Sequence, residues 1–188
     1  MATVTAVRNK TQSRTAMSKV MRYVLQDKKT LLEQEKKMRL LSGKDCLVET
    51  AYQEFMAIKR QYDKEKGRYF YQYIQSFPPG ENASPEQIHQ MGLELAEYFK
   101  GYEVLVATHI DRDHWHNHLI VNSVSHETGL KLQFGEQDLI RFRNLSDSIC
   151  RAHGLDTLEP YQKQEEKNLG QREYRAALRG DSWKFRLS

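Results

Sequence analysis

Four of the chain's seven histidines fall within ten residues, in the stretch HIDRDHWHNHLIVN (109–122), with Asp111 and Asp113 between them. Neutral imidazole is the commonest side-chain ligand for transition metals, so the crowding raises the question of a metal. Side chains alternate faces along a strand, so His116 and His118 point the same way, together with Ile120 and Asn122. If the flanking segments pair through a tight turn at Arg112-Asp113, His109 falls opposite His116 and Ala107 opposite His118. Directly opposed residues share a face. Arg-Asp is not a favoured pair for a two-residue hairpin turn, so a longer loop stays open. Either way His109, His116 and His118 can form one patch on a rigid hairpin, a metal site with open positions. A lone histidine is more often a satisfied structural residue, and it is the number and the His-x-His spacing that argue for ligands. Neutral imidazole suits Mn2+, Zn2+, Ni2+ or Co2+ better than Mg2+, which prefers oxygen. Ligating histidines usually give their second N–H to a carboxylate or carbonyl, and Asp111 is the candidate for that role. His114 is a fourth ligand, a substrate contact or a turn residue.

The elements that must position this patch read as an α/β (α+β) two-layer domain, a mostly antiparallel sheet of about five strands with helices packed on it. ATVTAVR (2–8) reads as a strand. Residues 15–26 read as a helix with Met17, Val20, Met21 and Val24 inward. Residues 27–44 are polar, end at Ser42-Gly43 and read as a connection. A helix over 50–63 carries Thr50 and Gln53 as a capping box and Ala51, Phe55, Ile58 and Tyr62 on one face. RYFYQYIQSF (68–77) is a strand stopped by Pro78, Pro79 and Gly80. Ser84, Pro85 and Gln87 open a helix that points Ile88, Met91, Leu95 and Phe99 inward and ends at Gly101. YEVLVATHI (102–110) is apolar enough for a central strand, and HNHLIVNSV (116–124) follows it. After the turn HETG (126–129), KLQF (131–134) supplies a fifth short strand. A last helix over 136–153 buries Leu139, Phe142, Leu145 and Ile149, and Gly154 closes it.

Hydrophobic residues make up 39% of the 188 and charged residues 29%, enough apolar material for one folded domain over 1–159. Residues 160–188 are charged and read as a helical extension. No run of 18 apolar residues occurs, and MATVTAVRNKTQSR lacks the apolar core of a signal peptide, so a cytoplasmic protein without membrane insertion is expected. Cys46 and Cys150 are far apart and outside any Cys-x-x-Cys spacing, which favours reduced, structural thiols. Net charge is +4, but residues 1–44 hold eleven Lys and Arg against three acids, Asp27, Glu33 and Glu35. Such a segment suits a polyanion, and equally a solvated face.

HIDRDHWHNHLIVNSV resembles the third motif of MobP-type conjugative relaxases, members of the HUH endonuclease superfamily, whose pattern is HxDxxxxHxH followed by apolar residues and Asn. It matches at His109, Asp111, His116, His118 and Asn122. MSKVMRYVL, LLSGKDC, YIQSFPPGE, the helix ending in CRAHGL, and ALRGDSWKFR are similar to relaxases of integrative and conjugative elements or plasmids of Gram-positive bacteria. The resemblance implies an HUH fold and a metal-dependent enzyme that nicks one DNA strand at an origin of transfer. A tyrosine attacks the phosphodiester to give a 5′-phosphotyrosine, and the strand is later rejoined. It also implies a cation held by the three histidines, Mn2+ first, then Zn2+, Ni2+, Co2+ or Mg2+. Expected partners are the origin hairpin, single-stranded DNA at the nick, and the accessory and coupling proteins of the transfer machinery. The abrupt end at FRLS fits a nuclease piece of a longer relaxase.

The family's nucleophile lies on the first helix, where KVMRYVL places Tyr23. At about 100° per residue, Tyr23 sits roughly 110° from the centre of the Met17/Val20/Met21/Val24 stripe, so it is not an obvious core residue. A phenol, with a pKa near about 10, needs a base or cation to attack at neutral pH. Asp111 and His114 are the candidates to take its proton. Arg8, Lys10, Arg14, Lys19 and Arg22 are candidate phosphate contacts, and Asn122 a candidate DNA contact. Two rival readings remain: a metal-dependent phosphoesterase that activates water, and a non-catalytic DNA-binding module around a structural metal. Structural zinc usually takes four ligands, often cysteine, and neither cysteine lies near the cluster.

Overall fold

The run YEVLVATHI yields a strand in which every position from Val104 to His109 is buried. Such a strand needs cover on both faces, and the computed structural model, which describes residues 2–33 and 38–157, supplies it. The chain runs β1 (Thr3–Ala6), α1 (Arg14–Val24), α2 (Asp27–Thr30), β2 (Leu31–Glu33), β3 (Met38–Arg39), β4 (Leu41–Lys44) and α3 (Ala51–Gln61). It continues through β5 (Phe70–Ser76), α4 (Pro85–Ala96), β6 (Val104–His109), β7 (His116–Asn122) and α5 (Glu136–Ala152). Five strands form one antiparallel sheet in the order β1-β5-β7-β6-β4, and β2 with β3 makes a separate two-stranded ribbon.

Helices pack on both faces rather than one. Val104, Val106, Leu119, Val121 and Tyr73 meet α4 and α5 through Ile88, Met91, Leu95 and Phe142. Leu105, Ala107, Ile120 and Phe70 meet α1 and α3 through Met17, Met21, Val24 and Phe55. The helix opened by Ser84 has the capping box its sequence announces: Gln87 N–H donates to Ser84 Oγ at 3.2 Å, and Ser84 N–H donates to Gln87 Oε1 at 2.8 Å.

The fifth strand is not KLQF. Lys131 makes only an isolated bridge to Val124, and the place beside β6 belongs to β4, inside the stretch read as a connection. Gly43 explains why Leu-Ser-Gly-Lys works there. A Cβ at that position would lie 2.0 Å from the carbonyl oxygen of Cys46, so the chain can fold back tightly only over a glycine. On α3 Ala51 and Phe55 face inward as expected, but Ile58 and Tyr62 are only half-buried while Met56 and Lys59 are buried. Lys59 is fully buried where Ile58 was expected, because its ammonium meets Asn122 Oδ1. Thr50 caps that helix, but its hydroxyl bonds Glu54 rather than entering a box with Gln53. Residues 160–188, expected to form a charged helical extension, lie outside the described residues.

Candidate metal centre and the tyrosine beside it

The hairpin β6–β7 has the register expected for a tight turn at Arg112-Asp113: His109 pairs with His116 and Ala107 with His118. The connection is the longer loop over residues 110–115, not a two-residue turn. The ring centroids of His109, His116 and His118 lie 4.3 to 5.0 Å apart, and one nitrogen from each lies within 4.8 Å of the others.

Each ring has one nitrogen turned to the protein. His109 Nε2–H donates to the Val24 carbonyl at 2.9 Å. His116 Nδ1 sits 3.3 Å from the His114 carbonyl. His118 Nδ1 lies 3.3 Å from the Gln72 side-chain amide, and with the amide oxygen facing the ring Nδ1–H donates to it and Nε2 keeps its lone pair. The other nitrogens behave differently. Among the described residues, three buried side-chain polar atoms have no hydrogen-bond partner: Tyr73 Oη, His109 Nδ1 and His118 Nε2. An unpaired buried polar atom costs about 1–3 kcal/mol, and two such atoms side by side call for an external partner. Burial lowers the pKa of all three histidines, that of His118 to about 3, so the imidazoles stay neutral with lone pairs to offer. Three neutral nitrogens converging from a rigid hairpin fit a borderline divalent cation, with open positions for oxygen ligands.

Tyr23, at the end of α1, is 48% exposed, and its ring stands edge-on to His109 at 5.9 Å and to His118 at 6.4 Å. The His109–Val24 bond ties the helix carrying the phenol to the strand carrying His109. Tyr69 and Tyr71 donate their hydroxyls to backbone carbonyls, and burial raises the pKa of Tyr71 and Tyr73. Those rings belong to the sheet and its packing. Cys46 and Cys150 are free thiols pushed by burial to about 12 and about 11, which leaves them unreactive at neutral pH.

The structure redistributes several expected roles. Asp111 does not orient an imidazole: its Oδ2 lies 3.6 Å from Lys29 Nζ, while carbonyls and an amide serve the three rings. His114 is exposed, stacks 5.8 Å from His116 and stands outside the converging trio. Asn122 cannot touch DNA. It is fully buried and bonds Lys59, Glu103 Oε2 at 2.6 Å and the Phe55 carbonyl at 3.4 Å. It shares the face of His118 but lies four residues, about 13 Å, further along the strand, under α3. Arg8, Lys10, Arg14, Lys19 and Arg22 are all exposed, with Arg14 paired to Glu65 at 2.8 Å. Lys29 and Gln72 touch the site and were not singled out from the sequence.

A family model, the relaxase nuclease domain of the MobA/VirD2-like kind, matches residues 23–155. The chain belongs to this relaxase family. Tyr23 and the three histidines lie inside the matched span, whereas the five basic candidates before Tyr23 lie outside it. Two Staphylococcus aureus proteins named Protein rlx are similar. One is 45% identical over 128 residues, 66% of this chain and 40% of its own length. The other is 38% identical over 152 residues, 80% of this chain and 45% of its own. The group II intron-interrupted relaxase LtrB of Lactococcus lactis subsp. cremoris is 39% identical over 101 residues, 46% of this chain and 18% of its own. The chain therefore spans less than half the length of these curated relatives. No solved structure matches it. Among the described residues, no helix is long and apolar enough to cross a membrane.

Proposed function

We propose that this relaxase domain nicks one strand of DNA at an origin of transfer and rejoins it through a covalent link between Tyr23 and the 5′ phosphate. The observation that carries the reading is one juxtaposition. A half-exposed phenol stands against two buried imidazoles whose inward nitrogens have no partner among the described residues. Structural tyrosines bury their rings and structural histidines satisfy both nitrogens.

In the nicking step Tyr23 Oη forms a bond to phosphorus as the bond from phosphorus to the 3′ oxygen breaks. The phenol's proton leaves through the exposed edge of the ring to solvent, with Asp111 and His114 as the acceptors the following loop offers. The departing 3′ oxygen takes a proton in turn. Rejoining reverses each of these changes. His109, His116 and His118 would hold a divalent cation of the Mn2+ class, which would supply positive charge for the phosphate oxygens. The protein's own part is positional. The His109–Val24 bond holds the helix of Tyr23 to the ligand hairpin, so attacking atom and phosphate site move as one body. Arg8, Lys10, Lys19 and Arg22, exposed before and along α1, suit the phosphates of a single strand approaching Tyr23. Hairpin shape and base edges at the origin would set specificity, and the accessory and coupling proteins of the transfer machinery are the expected partners.

A single-stranded oligonucleotide carrying the element's own transfer origin tests this, incubated with Mn2+ and, separately, with EDTA. The expected result on a denaturing gel is a metal-dependent protein–DNA band that Tyr23→Phe abolishes. Cleavage that yields free 5′ phosphate and survives Tyr23→Phe would replace the reading with a water-activating phosphoesterase.

A further inference from the structure

Lys29 sits in a polar, basic stretch where one lysine looks like any other, yet the fold buries it to 8% exposure. An ammonium taken out of water must find charged or polar partners. Lys29 Nζ donates to Tyr23 Oη at 3.1 Å, lies 3.6 Å from Asp111 Oδ2, and stands 4.3 Å from the centre of the Tyr23 ring. Its backbone is pinned as well. The Lys29 N–H donates to the Gln26 carbonyl at 2.9 Å, and the Lys29 carbonyl accepts from Ile110 N–H, next to His109, at 2.8 Å. The ammonium is thus fixed with respect to both the phenol and the histidine hairpin. A phenol that is already half in water gains little stability from such a neighbour, so packing alone gives no reason to bury the charge there.

We infer that Lys29 is a further catalytic residue of the same reaction, one that acts on the tyrosine oxygen. Its N–H···O bond carries the negative charge of the phenolate as Tyr23 attacks. It remains on the same oxygen in the phosphotyrosine, where it makes Tyr23 a better leaving group when the strand is rejoined. The inference rests on Tyr23 being the nucleophile. Lys29 neither gains nor loses a proton in the step, since the phenol's own proton has gone to solvent. A charge-assisted donor in a partly dry site is worth more than one in water and costs no reorganisation at the moment of reaction. Lys29 thus serves the attacking and departing tyrosine oxygen, and the three histidines would hold the cation that serves the phosphate. Asp111, beside its place as a proton acceptor, positions Lys29.

The test is the single-turnover rate of adduct formation on the origin oligonucleotide with Mn2+ for wild type, Lys29→Met, Lys29→Arg, Lys29→Ala and Tyr23→Phe. Thermal melts and Mn2+ titration calorimetry confirm that each variant folds and keeps its cation. Lys29→Met is expected to slow the adduct by about 100-fold or more at saturating DNA, with half-saturation changed by less than about threefold. Lys29→Arg should stay within about tenfold of wild type, and added ethylammonium should restore a saturable part of the rate to Lys29→Ala, which a purely structural role would not permit. A wild-type rate from Lys29→Met, with Tyr23→Phe inactive, would overturn this role and leave the Tyr23 reading intact. Failure of ethylammonium together with an inactive Lys29→Arg would also overturn it, as a role in packing would then suffice. No adduct from the wild-type protein would overturn both.

Discussion

Strands β6 and β7 carry two polar clusters back to back, and they obey different rules. On the face toward α4 and α5, a relay of hydrogen bonds runs through six side chains without a gap. Thr108 Oγ1–H donates to Asn117 Oδ1 at 2.5 Å, and Asn117 Nδ2 donates to Gln75 Oε1 at 2.8 Å and to the Ile88 carbonyl at 2.7 Å. Gln75 Nε2 donates in turn to Ser146 Oγ at 2.8 Å. Because Thr108 spends its only proton on Asn117, His89 Nδ1–H must be the donor in its 2.7 Å bond to Thr108. That makes His89 Nε2 the acceptor of the Ser42 hydroxyl at 2.8 Å. This histidine is neutral and satisfied at both nitrogens. On the opposite face, burial keeps His109 and His118 neutral too, and each has a buried nitrogen with no partner among the described residues. The same residue type is closed by hydrogen bonds on one face and left with an open nitrogen on the other. Hydrogen-bond closure separates the two cases; burial and charge do not.

That contrast sets signs as well as sizes. His118→Leu should lower Mn2+ affinity by more than about 100-fold in calorimetry, beyond the usual cost of losing a partner behind a ligand. The same substitution should leave the metal-free protein within about 1 kcal/mol of wild type in urea, because removing the unsatisfied atom offsets the loss of the Gln72 contact. Asn117→Leu, its counterpart across the sheet, should do the reverse: about 2 kcal/mol of stability lost, with Mn2+ affinity preserved. Equal destabilisation by both changes would erase the distinction between the faces. A smaller effect concerns pH. Burial lowers the His89 pKa from the ordinary 6.5 to about 4. The unfolded chain therefore takes up this proton first as the pH falls, and stability is lost from about pH 6.5 down to about pH 4. His89→Gln should flatten the curve by on the order of 1 kcal/mol between about pH 7 and pH 5; an unchanged slope would mean that His89 is not held neutral by the relay.

The ligand hairpin was the most legible part of the molecule. Period-two alternation puts His116 and His118 on one face, and the apolar run before His109 marks its strand; the register rested on an assumed tight turn, and the longer loop keeps the same pairing. The match of KVMRYVL to the first motif of relaxases, with Tyr23 off the apolar stripe, likewise picked out the phenol that the fold sets against the trio. What surrounds the trio was hidden because it arrives from distant segments. Gln72 reaches His118 from 46 positions away, and the Val24 carbonyl reaches His109 from 85. A carboxylate at Asp111 looked like the natural partner for an imidazole, but Lys29, buried by α2, claims it instead. Asn122 was placed by its sequence neighbours and lost to distance along the strand. Strand β4 was missed since a Ser-Gly pair reads as a turn, and only the close approach of Cys46 shows why glycine stands there.

The most direct test of the account is to find the atom to which DNA becomes attached. The Mn2+-dependent adduct, trimmed with nuclease and digested with trypsin, should release the peptide Tyr23–Lys28, since Arg22 and Lys28 flank it. The account predicts that this peptide carries a nucleotide on Tyr23, and that the modified form disappears with EDTA. A nucleotide on any other peptide, or cleaved DNA beside an unmodified Tyr23–Lys28 peptide, would contradict it.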